Sequence, residues 1–369
     1  MKVALIHDWL VSYGGAERCL EVFLELFPQA DVFTCVHDSS KMPERLKNIR
    51  IKTSFIQKLP FSTSGYMYYL PLMPMAVESF DLSDYDLVIS ISHAVAKGIK
   101  KAPGALHICY CLTPMRYAWD MQKDYSDYAG FGRLKRAVFD LMMKRFRKWD
   151  SDSSKKVDEF ISISQFIRQR VEKCYGRASE VIYPPVETNI FVPHGKPSDF
   201  FLVVSRLVPQ KRVDIIVEAF NALELPLKII GEGRQEGRLK KLAKSNIEFL
   251  GYLDDSDIAG CLAGCRALVF ASLEDFGITP LEAQAAGRPV IAFGRGGALE
   301  TVVDGKTGIF FGEQTAESVA SSVKRFNSMD VSPSACRANA EKFSREVFKK
   351  KMASYIDAKI RERASSLEK

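Results

Sequence analysis

The chain contains the stretch Ala267-Leu-Val-Phe-Ala-Ser-Leu-Glu-Asp-Phe-Gly-Ile-Thr-Pro-Leu-Glu282. Its first five residues are typical of a buried parallel strand, and the residues from Pro280 onward are typical of a helix. Residues 274–282 are therefore expected at the carboxyl end of a strand, where open α/β sheets bind their ligands. The stretch predicts an α/β fold built on a parallel sheet.

Residues 274–282 have two interpretations. The run Thr279-Pro280-Leu281-Glu282 has the form of a capping box, with Thr at the N-cap and Glu three residues later. A capping box accounts for Glu282 without any ligand. It does not account for Glu274, or for Gly277, where a missing Cβ lets backbone amides approach a ligand closely. Spacing alone leaves a ligand site and a capped helix open.

The composition is that of a globular protein with two domains. The chain has 369 residues, of which 47% are hydrophobic and 26% are charged. Its eight cysteines form no Cys-x-x-Cys pair, so we interpret them as buried residues of a reducing compartment. The first apolar run is followed at once by His7 and Asp8, which predicts a first strand and a cytoplasmic protein.

Two similar halves alternate short apolar strands with helical stretches, as doubly wound parallel sheets do. Strands are predicted at 3–7, 31–35, 87–90, 105–109, 160–164 and 180–182, and again at 200–205, 227–231, 247–250, 267–271 and 289–292. The predicted domains are residues 1–190 and 191–343. A charged helix at 344–369 is expected to cross back to the first domain.

Glycines and cations follow several predicted strands. Gly14 and Gly15 follow the first strand, and Arg206 and Lys211 follow the first strand of the second half. Arginine and lysine side chains that converge there can neutralise a diphosphate. The glycines from Gly231 to Gly237 lack the spacing of the dinucleotide fingerprint, which argues against a hydride-transfer enzyme. A third glycine-rich loop, 294–300, completes a pattern that predicts a phosphorylated ligand.

No metal site is predicted. The five histidines have no metal-ligand spacing, and acidic pairs such as Asp150/Asp152 are interpreted as surface or capping residues. His7 and His93 follow apolar strands and are candidates for the binding edge, whereas His107 is expected in the core.

Residues 131–149 are predicted to form a basic amphipathic helix. Two interpretations remain open for its cations, a solvated face of a packed helix or contact with anionic lipid head groups. Few aromatic residues are interleaved with these cations, which disfavours nucleic acid as a partner.

These motifs together resemble family 4 of the retaining glycosyltransferases. The marks of the resemblance are Gly14-Gly15, Ser205-Arg206-Leu207 with Lys211, Gly231-Glu-Gly233, the run from Glu274 to Glu282, and Gly296-Gly297 before Glu300. The resemblance covers nearly the whole chain. It implies the GT-B fold, in which two Rossmann-like domains face each other across a cleft.

The resemblance also implies roles for individual residues. Arg206 and Lys211 would hold the diphosphate, Glu274 the sugar hydroxyls and Glu282 the ribose. Backbone groups of the donor site would come from Gly14, Gly15, Gly231, Phe276, Gly277, Ile278 and Thr279. Such enzymes use neither metal nor cofactor, and the leaving diphosphate takes the proton of the acceptor.

Several stretches look like the bacterial mannosyltransferases of O-antigen and exopolysaccharide synthesis. They are residues 55–61, 92–98 and 109–120. The likeness implies GDP-mannose as the donor, while UDP sugars remain open. Relatives usually have a histidine in the sugar pocket where this chain has Leu112, so a changed donor or a lower activity is also open.

The expected acceptor is a polyprenyl-diphosphate-linked sugar or a glycan. The aromatic segment 61–75 and the basic helix are expected to dock on the inner face of the plasma membrane, which would make the protein a peripheral membrane enzyme. Two alternatives remain. One is a sugar-nucleotide epimerase of the same fold, and the other is a non-catalytic subunit that binds nucleotide sugars or partner enzymes.

Overall fold

The computed structural model describes residues 1–47, 49–120 and 132–367. The chain divides into two compact units: Met1–Tyr183 together with Lys349–Lys369, and Pro184–Phe348. The observed boundaries therefore lie after residues 183 and 348, whereas the sequence predicted boundaries after residues 190 and 343. Phe131, the start of the predicted basic helix, lies outside the described residues.

The first unit is built on a seven-stranded parallel sheet. Its strands are β1 Val3–His7, β2 Asp31–Thr34, β3 Ile51–Thr53, β4 Leu87–Ser92, β5 Leu106–Cys111, β6 Glu159–Ser162 and β7 Glu180–Val181, in the order β3-β2-β1-β4-β5-β6-β7. Its helices are α1 Gly15–Leu26, α2 Glu44–Lys47, α3 Met73–Glu78, α4 Arg116–Trp119, α5 Arg133–Ser154 and α6 Gln165–Tyr175. The strands β1, β2, β4 and β5 are buried along their whole length and mainly apolar, as is typical of strands covered on both faces.

The second unit is built on a six-stranded parallel sheet. Its strands are β8 Phe201–Val204, β9 Leu227–Ile230, β10 Ile247–Gly251, β11 Leu268–Phe270, β12 Val290–Phe293 and β13 Gly308–Phe311, in the order β10-β9-β8-β11-β12-β13. Its helices are α7 Val213–Leu223, α8 Glu236–Leu242, α9 Asp255–Gly264, α10 Ile278–Ala285, α11 Ala298–Thr301, α12 Ala316–Phe326 and α13 Pro333–Glu341.

Both sheets reverse their strand order once. The reversal lies between β1 and β4 in the first unit and between β8 and β11 in the second. The loops that leave two neighbouring strands at such a point diverge to opposite sides and leave a crevice at the carboxyl edge. The predicted α/β class with two Rossmann-like, parallel-sheet domains is confirmed.

The last helix, α14 Arg345–Leu367, ends in the first unit. Tyr355 donates a hydrogen bond to Glu159 at 3.0 Å, and Arg363 donates one to the carbonyl oxygen of Gly104 at 2.9 Å. Met352 and Ile356 are buried. Packing and hydrogen bonds therefore tie this C-terminal helix to the unit that contains the N-terminus.

Helix α5 carries the predicted basic residues, but its apolar residues divide into two groups. Met143 and Phe146 are buried, whereas Val138 and Leu141 are 62% and 57% exposed. The predicted single apolar face is therefore only partly packed against the unit. None of the helices in the described part of the chain combines the length and the hydropathy of a membrane-spanning segment.

A buried ion pair ties α5 to the loop after β4. The ammonium of Lys97 is paired with the carboxylate of Asp150, and both side chains are almost wholly buried. Trp119 and Tyr175 donate hydrogen bonds to the other Asp150 oxygen at 2.7 and 2.8 Å. The interpretation of Asp150 as a surface or capping residue was wrong, because its partner Lys97 is distant in sequence and gives no local signal.

We predict that Lys97→Met destabilises the first unit by about 3–5 kcal/mol, because it leaves a buried carboxylate without its counter-ion. Lys155→Met is the matched control, since Lys155 pairs with Asp152 at the exposed end of the same helix and should cost less than about 1 kcal/mol. All three tryptophans lie in the first unit, so their fluorescence during urea unfolding reports on it. Equal losses in the two variants would contradict the prediction.

Candidate functional site

The candidate site lies at the carboxyl edge of the second sheet, at its reversal point. Strand β8 leads into Ser205 and Arg206, and β11 leads into the loop that carries Glu274. The two strands are neighbours, with Leu202 opposite Leu268. The structure therefore brings together two motifs that are about 65 residues apart in the sequence, as the parallel-sheet rule requires.

An ion pair joins the two motifs directly. The Lys211 Nζ atom lies 2.5 Å from the Glu274 Oε1 atom, and both side chains are about one-fifth exposed. Lys211 ends a short 3₁₀ turn, and Arg206 is exposed nearby in sequence. A ligand phosphate that approached Lys211 would compete with the Glu274 carboxylate for the same ammonium group.

A cavity of about 280 Å³ opens at this edge. Four predicted site residues line it: Arg206, Lys211, Gly231 and Thr279. The cavity also has lining residues that the sequence interpretation missed, namely Tyr252, Leu253, Ile258 and Phe270. Its volume and its mixture of cations with apolar and aromatic walls suit part of a nucleotide.

Tyr252 is the missed residue with the clearest chemistry. It follows the last residue of β10, and its side chain is 76% exposed. An exposed aromatic ring beside a cavity offers a stacking surface for a planar ligand group. Its position directly after a strand of the same sheet is the signal that could have identified it.

Glycines let the loops of this edge pack tightly on one another. A Cβ atom on Gly297 would clash with the backbone of Phe276, and one on Gly231 would clash with the carbonyl oxygen of Ser205. The amide of Gly297 also donates a hydrogen bond to the carbonyl oxygen of Glu274 at 2.8 Å. These two glycines therefore serve loop packing, whatever contact they also make with a ligand.

Helix α10 begins earlier than the predicted capping box requires. It starts at Ile278, with Gly277 as its N-cap residue in the left-handed region at φ +95°, and no side chain caps it. Thr279 lies inside the first turn, so the expected N-cap role of Thr279 was wrong. Glycine turns the chain into the helix two residues sooner. Thr279 of this first turn lines the cavity, and the first-turn amides of a helix can bind an anion.

Glu282 is buried, with 7% of its surface exposed. It lies in the second turn of α10 and does not line the cavity at Arg206. Its assignment to a ribose stays a prediction. Among the described residues, no three His, Cys, Asp or Glu side chains cluster in a way that could hold a metal ion.

The corresponding edge of the first unit carries Gly14, Gly15 and two histidines. Gly14 is the N-cap of α1, which begins at Gly15. His7 is fully buried, and burial lowers its pKa. His93 is 25% exposed and lies 2.9 Å from the Asp8 carboxylate. His107 is in the core as predicted, with burial lowering its pKa to about 3.

Comparison with known proteins bears on the second unit first. Residues 187–343 match the model of the family described as glycosyl transferases group 1. The second unit resembles that family over almost its whole length. The matched range contains Arg206, Lys211, the cavity residues and the run from Glu274 to Glu282.

Two protein relatives illustrate the likeness. An uncharacterized glycosyltransferase of Methanocaldococcus jannaschii is 32% identical over 157 residues, which cover 41% of this chain and 44% of the relative. A GDP-mannose-dependent monoacylated alpha-(1-6)-phosphatidylinositol monomannoside mannosyltransferase of Corynebacterium glutamicum is 32% identical over 179 residues, which cover 40% of this chain and 47% of the relative. The chain thus spans less than half the length of either relative.

A solved structure extends the likeness to both units. The structure of HepE from Anabaena in complex with UDP has a TM-score of 0.71 and 18% sequence identity, and the match covers 97% of this chain and all of that chain. At this identity the match shows the fold alone, which is the two-domain, parallel-sheet GT-B fold predicted from the sequence.

We predict that Gly297→Ala destabilises the second unit by about 1–3 kcal/mol, because the added methyl group has no room beside the Phe276 backbone. Gly260→Ala is the control. Gly260 lies inside α9 with nothing near its Cβ position, so alanine there should be neutral or stabilising. Thermal unfolding followed by far-ultraviolet circular dichroism measures both. A Gly297→Ala variant as stable as the control would refute the packing role.

Proposed function

We propose that this chain is a retaining glycosyltransferase that moves a hexose, mannose from GDP-mannose, to a lipid-linked or glycan acceptor. The main support for the proposal is the ion pair between Lys211 and Glu274, beside a cavity at the reversal point of the second sheet. The family likeness of residues 187–343 supports it. The proposed role is the synthesis of a cell-surface polysaccharide.

In the proposed site, charge balance drives donor binding. Arg206 and Lys211 neutralise the diphosphate, and the first-turn amides of α10 add the positive end of the helix dipole. When Lys211 turns to the phosphate, the Glu274 carboxylate can accept hydrogen bonds from sugar hydroxyls in place of the ammonium group. Diphosphate recognition and sugar recognition are thereby linked through one ion pair.

The proposed reaction needs neither a metal nor a cofactor. The bond between the anomeric carbon and the diphosphate oxygen breaks, a bond from the acceptor oxygen to that carbon forms on the same face, and the departing diphosphate takes the acceptor proton. Arg206 and Lys211 stabilise the charge that develops on the leaving oxygen. The protein lowers the barrier through fixed positive charge and through positioning.

The identity of the base in the donor nucleotide is inferred from the relatives and from the cavity. The GDP-mannose-dependent relative from Corynebacterium glutamicum favours a guanosine donor, whereas the HepE complex with UDP keeps a uridine donor as the second candidate. In either case Tyr252, exposed beside the cavity, is the proposed stacking surface for the base.

We also propose that the first unit docks on the inner face of an anionic membrane, where a polyprenyl-diphosphate-linked acceptor resides. Helix α5 exposes Val138 and Leu141 between basic residues, which is the pattern of an interfacial helix. The segment 61–75 also exposes apolar side chains, here called the aromatic patch: Phe61, Met67, Tyr68, Leu72 and Met75.

Phe61 gives the aromatic patch a specific signature. Its side chain is 81% exposed while its backbone adopts the left-handed φ of +54°. That conformation is rare and costly for a bulky residue. A strained backbone that presents an aromatic ring to solvent supports a binding role for the ring rather than a role in folding.

We expect nucleotide binding to stabilise the second unit measurably. A thermal-shift panel compares GDP, GDP-mannose, UDP and UDP-glucose, with AMP as the control. A ligand at about 100 times its dissociation constant adds about 2.7 kcal/mol, which for a domain of this size raises the unfolding midpoint by roughly 5–10 °C. A guanosine preference supports GDP-mannose, a uridine preference selects the second candidate, and no response to any of them rejects the proposal.

We expect membrane binding to depend on the cations of α5 and on Phe61. A triple variant of α5 should bind phosphatidylglycerol vesicles at least 100-fold more weakly than the wild type: Lys144→Glu, Arg145→Glu and Lys148→Glu. Each lost basic residue should remove about 1 kcal/mol of binding free energy. Arg147 is left intact because it donates a hydrogen bond to the carbonyl oxygen of Ala118. Vesicle flotation measures binding.

The matched control replaces three exposed lysines of the second unit with glutamate, namely Lys241, Lys306 and Lys324. It changes the net charge of the protein by the same amount as the triple variant of α5. Phe61→Gly should weaken vesicle binding about 10-fold while stability stays within about 1 kcal/mol, since glycine relieves the strained φ. Equal flotation of the two triple variants would end the membrane proposal.

A further inference from the structure

The reversal point of the first sheet brings Asp8 and His93 together. Asp8 follows β1 and His93 follows β4, and these strands are neighbours whose ends are aligned, with His7 opposite Ile91. The carboxyl edge at such a point is where α/β sheets bind ligands. The pair therefore occupies in the first unit the position that Lys211 and Glu274 occupy in the second.

Asp8 acts as a rigid anchor. Its buried carboxylate accepts four backbone hydrogen bonds, from the amides of His93, Ala94, Val95 and Ala96 at 2.6 to 3.1 Å. These amides form the turn after β4. An aspartate with its oxygens engaged in this way fixes the backbone and orients its neighbours, but it has little capacity left for a ligand.

The imidazole of His93 is held from two sides and open on a third. Its Nδ1 atom is buried and lies 2.9 Å from Asp8 Oδ2, in an ion-pair contact outside hydrogen-bond geometry. Its ring meets the Trp9 ring edge to face, with centroids 4.6 Å apart. The side chain is 25% exposed. No described residue forms a hydrogen bond with Nε2, and that atom is not among the buried unpartnered ones. The accessible nitrogen is therefore Nε2.

The charges around His93 favour its protonated form. Burial lowers the pKa of His93, but the Asp8 carboxylate, with help from Glu17 of α1, raises it above the usual value, against a smaller opposing effect of Arg116 of α4. His7 of β1 adds little, because burial lowers its own pKa and keeps it neutral. A protonated ring with Nδ1 on Asp8 presents Nε2–H as a donor.

The groups around His93 determine which kind of ligand group its Nε2–H can donate to. Asp8 and Glu17 are buried carboxylates close to the ring, and their negative charge disfavours a phosphate there. On the adjacent strand, Leu112 follows β5, and its amide donates a hydrogen bond to the carbonyl oxygen of Ser92 at 2.9 Å. Its side chain offers no polar group. A neutral hydroxyl is the partner that fits.

We propose that His93, oriented by Asp8, contacts the substrate directly and donates a hydrogen bond from Nε2 to a sugar hydroxyl. The inference rests on the proposed glycosyltransferase function, and it adds a sugar-binding residue on the first unit. Asp8 is a positioning residue, since it acts through the imidazole and through the turn that it caps.

The test compares His93→Leu, which removes the donor, with His93→Gln, which keeps a donor that does not titrate. His194→Gln is the control, because His194 is exposed in the second unit. The first readout is hydrolysis of GDP-mannose, or of UDP-glucose if the panel selects uridine, without an acceptor. If the hydroxyl belongs to the donor sugar, His93→Leu should lower kcat/KM for hydrolysis about 10- to 100-fold, with His93→Gln near the wild type. If it belongs to the acceptor, the same loss should appear in transfer and not in hydrolysis. Binding of the nucleoside diphosphate alone should be unchanged in all three.

The pH dependence separates a donor from a base. The wild-type rate of whichever reaction His93→Leu impairs should fall as pH rises through the pKa of His93, because the proton on the ring is lost. His93→Gln should lack that fall. A wild-type rate that instead rises over the same range, or a His93→Gln variant as impaired as His93→Leu, would overturn the donor role.

A second readout, transfer to a bacterial lipid extract, identifies the sugar. Loss of both hydrolysis and transfer in His93→Leu assigns the hydroxyl to the donor sugar, and loss of transfer alone assigns it to the acceptor. If wild type and His93→Leu are equal in both, the inference fails while the proposed function stands. A wild type that binds no nucleotide rejects the proposed function and the inference with it.

Discussion

The reversal of strand order in each parallel sheet is the constraint on which the candidate sites depend. At that point two neighbouring strands send their loops to opposite sides, and the backbone leaves a crevice that neither loop fills. In the second unit the flanking strands β8 and β11 deliver Lys211 and Glu274, and in the first unit β1 and β4 deliver Asp8 and His93. The same topology thus generates two polar edges from different residues.

The two edges differ in how their charges are held. Asp8 is saturated by backbone amides and is wholly buried, so its position is independent of any ligand. Lys211 and Glu274 are partly exposed and face each other, so a phosphate and a sugar can separate them. The edge of the first unit is suited to fixing the position of a side chain. The edge of the second unit is suited to replacing its ion pair with contacts to a ligand. Buried glycine contacts, such as Gly297 on Phe276, keep the exchanging loops in register.

The sequence predicted most strands because continuous apolar runs between turn residues identify buried parallel strands. It missed β3, a short edge strand whose residues are partly exposed, and β13, which begins at Gly308. Arg206, Lys211 and Thr279 line one cavity, because loops that follow neighbouring parallel strands converge at the same edge of the sheet; their roles in binding stay predictions. Tyr252 was missed because a single aromatic residue after a strand has no distinctive spacing. The capping box failed because the left-handed φ of Gly277 is a property of the backbone that side-chain spacing does not encode.

The most direct measurement of the central claim is a comparison of GDP and GDP-mannose affinities by calorimetry in the wild type and in Glu274→Gln, or of the uridine pair if uridine is preferred. Glu248→Gln, on the exposed side of β10, is the control. Because the substitution frees Lys211 for the diphosphate, GDP affinity should be kept or increased, while the additional affinity for the sugar nucleotide should be lost. An equal loss of affinity for both ligands, or no loss for either, would contradict the account.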